Sequence, residues 1–371
     1  MLADRLSRRA RWVAIGAVVA AAAVPAVGGL VSAAKGGQTA AAADFLHQYL
    51  PCNAKGNVNT TDKDLLSYKV PKAKKRYDIT LMTVTLAGHY YQGLAYGATK
   101  AAKIAGVKLR ILSPGTGYAD PAQQVSQAEN AIQSGTQAIV LQPVDIQGSV
   151  PVVKAAAKEK IPLINISTEA DHSSPVTEFV MQDDYLMGVH SADEVARLLP
   201  QGGEGIIMAG PANATWSRKR ANGFQDQVKK KYPKLKVVAA PTQNVDPTLG
   251  LKSFDNAIVA HPNIKFIYSV FNFLLQPSSL PAKYRGKVVF VTNGYDWTTI
   301  PYLKNGEFKS VIGITPVWMG YLGVGEAVKV LNGEKVPKWY CVAQPIITKA
   351  RIGSPIANWE LVPKNFSAKS G

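Results

Sequence analysis

The chain has 371 residues, 47% of them hydrophobic and 18% charged, with a formal net charge of +17. That is an ordinary globular composition, and at roughly 150 residues per domain it predicts two domains with a core each. The excess of basic residues is scattered; the one tight run, Lys229-Lys230-Lys231, falls where a helix should end and suits the negative pole of its dipole, so no nucleic-acid surface is expected.

Residues 1–43 read as an export signal. Arg5, Arg8, Arg9 and Arg11 precede an uncharged stretch, Val13 to Ala34, and small-residue sites follow at Val31-Ser32-Ala33 and Ala41-Ala42-Ala43. An uncleaved membrane anchor is the alternative, because the uncharged stretch is long enough to span a bilayer. The expected location is therefore periplasmic or otherwise extracytoplasmic. The two cysteines, Cys52 and Cys341, form no C-x-x-C, and in an oxidising compartment such an even pair is free to bond. Their spacing in sequence does not say whether they meet.

Residues 44–76 show little periodicity and read as an extension. From Tyr77 strand-length apolar runs alternate with amphipathic helical stretches. The predicted order is strand Ile79–Leu86, helix Tyr91–Ala105 stopped by Gly106, strand Val107–Leu112, and a helix from Pro121 capped by Asp120. Strand Ala138–Leu141, helix Ser149–Glu159 and strand Ile161–Ile166 complete the first half. After Gln182 the rhythm restarts with a helix capped by Asp183 or Asp184. It continues through strand Gly205–Met208, helix Ser217–Lys231, strand Leu235–Ala239, helix Pro247–Ala260 and strands Phe266–Val270 and Val288–Thr292. A short helix Ile300–Asn305, strand Ser310–Ile314, helix Val317–Leu331 and a last strand in Val342–Thr348 close the pattern. Buried-type strands alternating with helices imply α/β architecture with two doubly wound parallel sheets. Ligands of such sheets bind at the carboxyl ends of the strands, which places the site between the lobes.

No P-loop, dinucleotide fingerprint, nucleophile elbow or H-E-x-x-H is present, and the histidines show no metal spacing. No catalytic residue, cofactor or metal site is expected from these motifs.

Several motifs occur in one order along Tyr77–Lys349. They are Thr85-Leu86-Ala87-Gly88-His89-Tyr90-Tyr91, then Ser134-Gly135-Thr136 with Gln142-Pro143-Val144-Asp145, Ile161-Pro162-Leu163-Ile164, Gly210 to Phe224, Asn305-Gly306 and Gly333-Glu334-Lys335-Val336. In this order the chain resembles the type I periplasmic binding proteins of the ribose/galactose group, which feed ABC importers. The resemblance implies a three-strand hinge, with crossings near Gln182, Ile314 and Ala343. It implies lobes of 77–181 plus 315–343 and of 182–314 plus 344–371 with the tail, and a monomer that docks on ABC permease subunits. Tyr90 and Tyr91 match the aromatic pair that stacks on a sugar ring, Arg218 the ligand-contacting arginine, and Gln142 an amide position. The pattern departs from the sugar binders elsewhere. Ser167-Thr168 replaces an Asp-Arg pair, Phe271 beside Asn272 replaces an asparagine, Gly294 holds an acid's place unless Asp296 fills it, and Ile314 replaces a glutamine. Buried sugar hydroxyls left unpaired cost about 1–3 kcal/mol each. The cleft therefore reads as too apolar for an ordinary sugar, and the expected ligand is a small ring compound, sugar-like or aromatic, with an anionic or carbonyl group held by Arg218. The candidate lining is Tyr90, Tyr91, His89, Gln142, Ser167, Asn213, Trp216, Arg218, Phe271, Asn272, Asp296 and Trp297, with Tyr295 and Trp318 as further aromatics.

A second resemblance rests on Pro71-Lys72-Ala73-Lys74-Lys75-Arg76, Ala95-Tyr96-Gly97 and Gly210-Pro211-Ala212-Asn213. These are similar to the periplasmic sensor partner of the trimethylamine-N-oxide respiratory system, and imply docking on the periplasmic domain of a membrane histidine kinase. Sugar-responsive repressors share the fold but need an N-terminal helix-turn-helix, where this chain has its export signal.

Overall fold

Strands buried on both faces carry continuous apolar runs instead of alternation, and that is how most strands of this chain read. In the computed structural model, which describes residues 45–115 and 117–371, thirteen strands and ten α-helices are formed. The expected export signal lies outside the described residues. The strands are β1 (Val58–Asn59), β2 (Asp78–Met82), β3 (Lys108–Leu112), β4 (Ala138–Leu141), β5 (Leu163–Ile166), β6 (Glu178–Met181), β7 (Gly203–Met208), β8 (Leu235–Ala239), β9 (Phe266–Ser269), β10 (Val289–Asn293), β11 (Ser310–Ile312), β12 (Trp339–Cys341) and β13 (Ile346–Thr348). The helices are α1 (Asp62–Ser67), α2 (His89–Ala105), α3 (Pro121–Gln133), α4 (Val150–Lys158), α5 (Asp184–Leu198), α6 (Thr215–Lys231), α7 (Pro247–Ala260), α8 (Ile300–Lys304), α9 (Pro316–Leu331) and α10 (Pro355–Trp359).

Two sheets result. The first has the order β1-β12-β6-β5-β4-β2-β3 and is parallel throughout. The second has the order β13-β11-β10-β9-β7-β8 and is parallel except for β13, which runs antiparallel to β11. The chain passes between the sheets three times: from β6 to α5 through Gln182, from β11 to α9 through Ile314, and from β12 to β13 through Ala343.

Helix ends follow local chemistry. Asp120 accepts from the Gln123 amide, Asp183 from Leu186, and Asp246 from Thr248 and Leu249. Gly106 ends α2 in the left-handed region, at φ 77°.

Each lobe is organised on one close helix pair, and both pairs meet through glycines. A Cβ on Gly97 of α2 would sit 1.9 Å from the Val317 carbonyl oxygen of α9, and one on Gly320 of α9 would sit 2.0 Å from the Leu94 oxygen. In the second lobe a Cβ on Gly188 of α5 would lie 2.0 Å from the Arg220 oxygen, and one on Gly223 of α6 would lie 2.1 Å from the Tyr185 oxygen. Hydrogen thus stands where any side chain would force the backbones apart. The contact fixes the first turns of α2 and α6, which carry site residues.

Several elements differ from the sequence reading. The extension is not featureless: it forms β1 and then α1, which Thr61 and Asp64 close with a reciprocal capping box. β6 and β12 were not expected as strands, being only four and three residues long and opening on Glu178 and Trp339. The single strand expected over Val342–Thr348 is a crossing followed by β13. The C-terminal tail, grouped above with the second lobe, instead returns to the first. Trp359 stacks on Trp318 at 4.1 Å, Phe366 packs on Tyr96 of α2, and the Gly371 amide donates to the Ile111 oxygen of β3.

Cys52 and Cys341 are joined in a disulfide, with Cα atoms 5.7 Å apart. It ties the N-terminal extension to the last residue of β12, at the start of the third crossing.

Candidate functional site

Polar side chains gather at the carboxyl ends of the strands in both sheets. In the first lobe the centre is Gln142, fully buried just past β4. Its Oε1 accepts from the Thr83 hydroxyl at 2.5 Å, and its Nε2 donates to Ser167 Oγ at 3.0 Å and to the Tyr118 hydroxyl at 3.4 Å. Ser167 Oγ lies 2.6 Å from the Tyr90 hydroxyl, and Tyr118 lies 3.5 Å from Thr168 Oγ1. Tyr91 meets Tyr90 edge to face at 5.4 Å. Ser167 adopts φ 69°, unusual for a residue with a Cβ, and so turns its hydroxyl into this cluster. Burial pushes the Tyr90 and Tyr91 hydroxyls above the ordinary tyrosine range, and Tyr118 shifts the same way although its side chain is 44% exposed, so all three remain neutral donors and acceptors.

In the second lobe the centre is Arg220, 3% exposed on α6. It donates from Nε and Nη2 to Asp184 Oδ1, at 2.8 and 2.7 Å, and from Nη1 to the Val270 carbonyl at 2.9 Å. Burial pushes the Asp184 carboxyl up, and the guanidinium pulls against it. Trp216 covers the guanidinium at 4.9 Å and meets Phe271 edge to face at 6.1 Å. The charges of Asp184 and Arg220 are felt at the Tyr90 and Tyr118 hydroxyls, and both clusters lie past the carboxyl ends of their strands.

The expected lining therefore divides. Tyr90, Tyr91, Gln142 and Ser167 come together in the first lobe, and Trp216 and Phe271 flank the buried ion pair in the second. Asn272 is buried and donates to Asp296 Oδ2 at 3.1 Å, while Asp296 Oδ1 accepts from the amide and hydroxyl of Thr298. Asp296 is thereby engaged in its own loop. His89 and Asn213 are exposed.

Arg218 requires correction. It lies on the exposed stripe of α6 with Gln225 and Lys229, whereas Arg220, about 200° further round the helix, faces inward. Trp297 is 38% exposed and donates from Nε1 to the Val362 oxygen, so it holds the tail. Trp318 is fully buried under Trp359. Asp145 accepts from the Gly148 amide and shapes the turn into α4.

The sequence reading missed Tyr118, Asp184 and Arg220. Helical phase distinguishes Arg220 from Arg218 once the helix start is known. Tyr118 sits in the irregular segment after β3, where no periodicity points to it. A groove of about 570 Å³ lies elsewhere, along Asn59–Lys63, Asp183, His190 and Gln344, where the extension covers two of the crossings. It is not at the strand ends where the polar clusters lie. Among the described residues no group of three or more His, Cys, Asp or Glu is arranged to hold a metal, and no helix is long and apolar enough to cross a membrane.

Two wound sheets, three crossings and a polar cluster between the lobes define the type I periplasmic binding fold. Residues 79–335 match the family model described as a periplasmic binding protein domain, and the chain belongs to that family. It is 28% identical over 273 residues to the ribose import binding protein RbsB of Salmonella typhimurium, covering 73% of this chain and 90% of that one. It is 31% identical over 125 residues to a xylitol-binding protein of Mycolicibacterium smegmatis, covering 34% of this chain and 35% of that one. Among solved structures it is similar to a carbohydrate transporter solute binding protein from Agrobacterium radiobacter in complex with D-arabinose, at TM-score 0.68 and 28% identity, over 77% of this chain and 99% of that one. It is a solute-binding protein of the kind that serves ABC importers, not an enzyme.

Proposed function

We propose that the chain captures a neutral polyhydroxylated ring, a sugar or cyclic polyol, between its lobes outside the cytoplasm and delivers it to the permease subunits of an ABC importer. The observation that carries this reading is the composition of the two clusters. The first lobe offers neutral hydroxyls and an amide: Tyr90, Tyr91, Tyr118, Ser167, Thr168 and Gln142. The cation of the second lobe, Arg220, is already neutralised by Asp184. Three of its five N–H donors are used, which leaves two for an uncharged oxygen. Arg218, the cationic anchor expected from the sequence, lies on the exposed stripe of α6. The ligands of the three relatives named above, ribose, xylitol and D-arabinose, are neutral polyhydroxy compounds. The reading as a sensor-kinase partner has no observation in its favour and is not carried forward.

The test is isothermal titration calorimetry against pentoses, hexoses, cyclic polyols and aromatic carboxylates, with Gln142→Ala and Arg218→Ala alongside. Binding of a neutral polyol that weakens at least tenfold in Gln142→Ala and is unchanged in Arg218→Ala is expected. Tight binding of an aromatic carboxylate that disappears in Arg218→Ala would overturn the reading.

A further inference from the structure

The lobes are joined by more than their three crossings. Glu169 lies in the loop between β5 and β6 of the first lobe, and Lys219 opens the second turn of α6 in the second. Lys219 Nζ donates to Glu169 Oε1 at 2.8 Å, with the two side chains 2% and 8% exposed. His172, from the same loop as Glu169, lies 2.9 Å from its other oxygen. Both carboxylate oxygens are therefore engaged, which a buried charge requires if it is to remain charged.

A third segment covers this pair. Phe45 of the N-terminal extension places its ring 3.9 Å from Lys219 Nζ and meets His172 edge to face at 5.9 Å. Its own contacts with the second lobe continue along the arm. His47 Nδ1 lies 2.6 Å from Asp226 Oδ2, Tyr49 packs on Tyr185 at 4.9 Å, and the Leu50 amide donates to Asp183 Oδ2 at 2.7 Å. Two residues later the arm is bonded through Cys52 to Cys341. The aromatic cap thus reaches the ion pair on a short tether fixed at the third crossing.

We propose that Glu169 and Lys219 form an interlobe latch that sets the balance between open and closed lobes, and that the N-terminal arm insulates the latch from water. The pair spans the two bodies that must separate when the cleft opens, so opening breaks it and hydrates both charges. A pair packed in a dry site attracts more strongly than one bathed in solvent and is screened far less by salt. The phenyl ring supplies that dryness from a third segment belonging to neither sheet. A latch of this kind shifts the equilibrium toward the closed form before any ligand arrives, and raises apparent affinity by enlarging the binding-competent fraction. Closure without ligand is independent of which solute is carried, so the inference stands or falls apart from the proposed ligand.

Small-angle X-ray scattering of the exported protein, recovered from the cell envelope and freed of ligand, tests it. The wild type is expected to scatter as the closed form. Lys219→Met should shift the profile to a larger radius of gyration, with the open fraction rising at least tenfold. The exchanged pair, Glu169→Lys with Lys219→Glu, should return the profile toward the wild type. A folded Lys219→Met protein with unchanged scattering would overturn the latch, and so would an exchanged pair as open as the single variant. Phe45→Ala leaves both charges in place and serves if the lysine variant does not fold. It should open progressively between 0.05 and 1 M salt (on the order of a 14 to 3 Å Debye length), while the wild type stays closed. Scattering of Phe45→Ala that is insensitive to salt would overturn the insulating role of the arm.

Discussion

Arg220 and Asp184 form a buried ion pair in which two guanidinium nitrogens donate to one carboxylate oxygen, Nε at 2.8 Å and Nη2 at 2.7 Å. The arginine sits on α6 and the aspartate opens α5, so the pair also locks together the two helices that meet through Gly188 and Gly223. Removing one partner leaves the other charge buried and uncompensated, which costs about 3–5 kcal/mol. Arg220→Met is expected to lower unfolding free energy by about that amount in urea denaturation. Arg218→Ala, two residues away on the solvent stripe, should change it by no more than about 0.5 kcal/mol. Equal effects of the two substitutions would mean that the helix is turned differently from the structure.

The first-lobe cluster supports a finer prediction on binding. Ser167 Oγ is shared between the Tyr90 hydroxyl and Gln142 Nε2. Ser167→Ala leaves two buried polar groups short of a partner and frees the Tyr90 ring to tilt. A loss of about 1–3 kcal/mol is expected, roughly five- to 150-fold in Kd for the polyol identified by calorimetry. Tyr90→Phe removes one hydroxyl but keeps the stacking face, and should cost less. If Tyr90→Phe were the more damaging, the direct contact of this hydroxyl with the ligand would outweigh the support that Ser167 gives it.

Much of the fold was legible because helices and buried strands announce themselves by different periods. Gly106, Asp120, Pro121 and Pro247 punctuate the chain where the helices stop and start. β6 and β12 were not legible. Glu178 and Trp339 open segments too short for periodicity, and their strand character comes from pairing with each other across 160 residues of sequence. The site was legible by position and not by orientation. Strand ends could be located, and Tyr90, Gln142 and Ser167 with them. Whether Arg218 or Arg220 turns inward depends on the phase of α6, which is set by Gly223 packing on α5. The bond between Cys52 and Cys341 depended on a Cα separation that only the three-dimensional structure supplies.

The glycine contacts predict intolerance to the smallest side chain. In Gly97→Ala the new methyl would fall 1.9 Å from the Val317 carbonyl oxygen, and the obstacle is backbone, which cannot rotate away. The helices α2 and α9 must separate, which tilts the first turn that carries Tyr90 and Tyr91. Overpacking of this kind costs about 1–3 kcal/mol, and the backbone clash places this case at the upper end. Thermal unfolding of Gly97→Ala and Gly106→Ala separates packing from conformation. Gly106 has nothing within 4 Å of its added Cβ, so its cost, from φ 77° alone, should be the smaller.

The disulfide joins residues 289 apart in sequence. Constraint of the unfolded chain over such a loop corresponds to roughly 6 kcal/mol in the chain-entropy account. Reduction, or replacement of both cysteines by serine, is expected to lower the urea midpoint markedly while leaving the ligand-binding clusters intact. Superimposable denaturation curves with and without reductant would show that the extension is held by its other contacts alone.

Two buried acids dominate the expected pH dependence above about pH 6, below which Asp183 also contributes. Glu178 opens β6 with neither carboxyl oxygen hydrogen-bonded, and burial followed by repulsion from Glu326 pushes its pKa up to about 9, against the pull of Lys329. Glu326 accepts from the Tyr68 hydroxyl and from Lys329 through one oxygen. Glu360, in the tail, is pushed up to about 8 by burial and then by Asp62. In the window between the unfolded value near 4.5 and the folded values of 8 to 9, the folded chain binds more protons than the unfolded one. Stability therefore falls as pH rises through that window. The contribution of these acids is fully present below about pH 4.5 and lost above about pH 9. Glu178→Gln keeps the shape and abolishes the ionisation, so it should stabilise the protein at pH 8 and flatten the decline measured by urea denaturation from pH 5 to 9. An unchanged slope in that variant would mean that Glu178 is ionised in the folded chain and paired with Lys329 instead. In that case the same substitution would destabilise the first lobe at neutral pH.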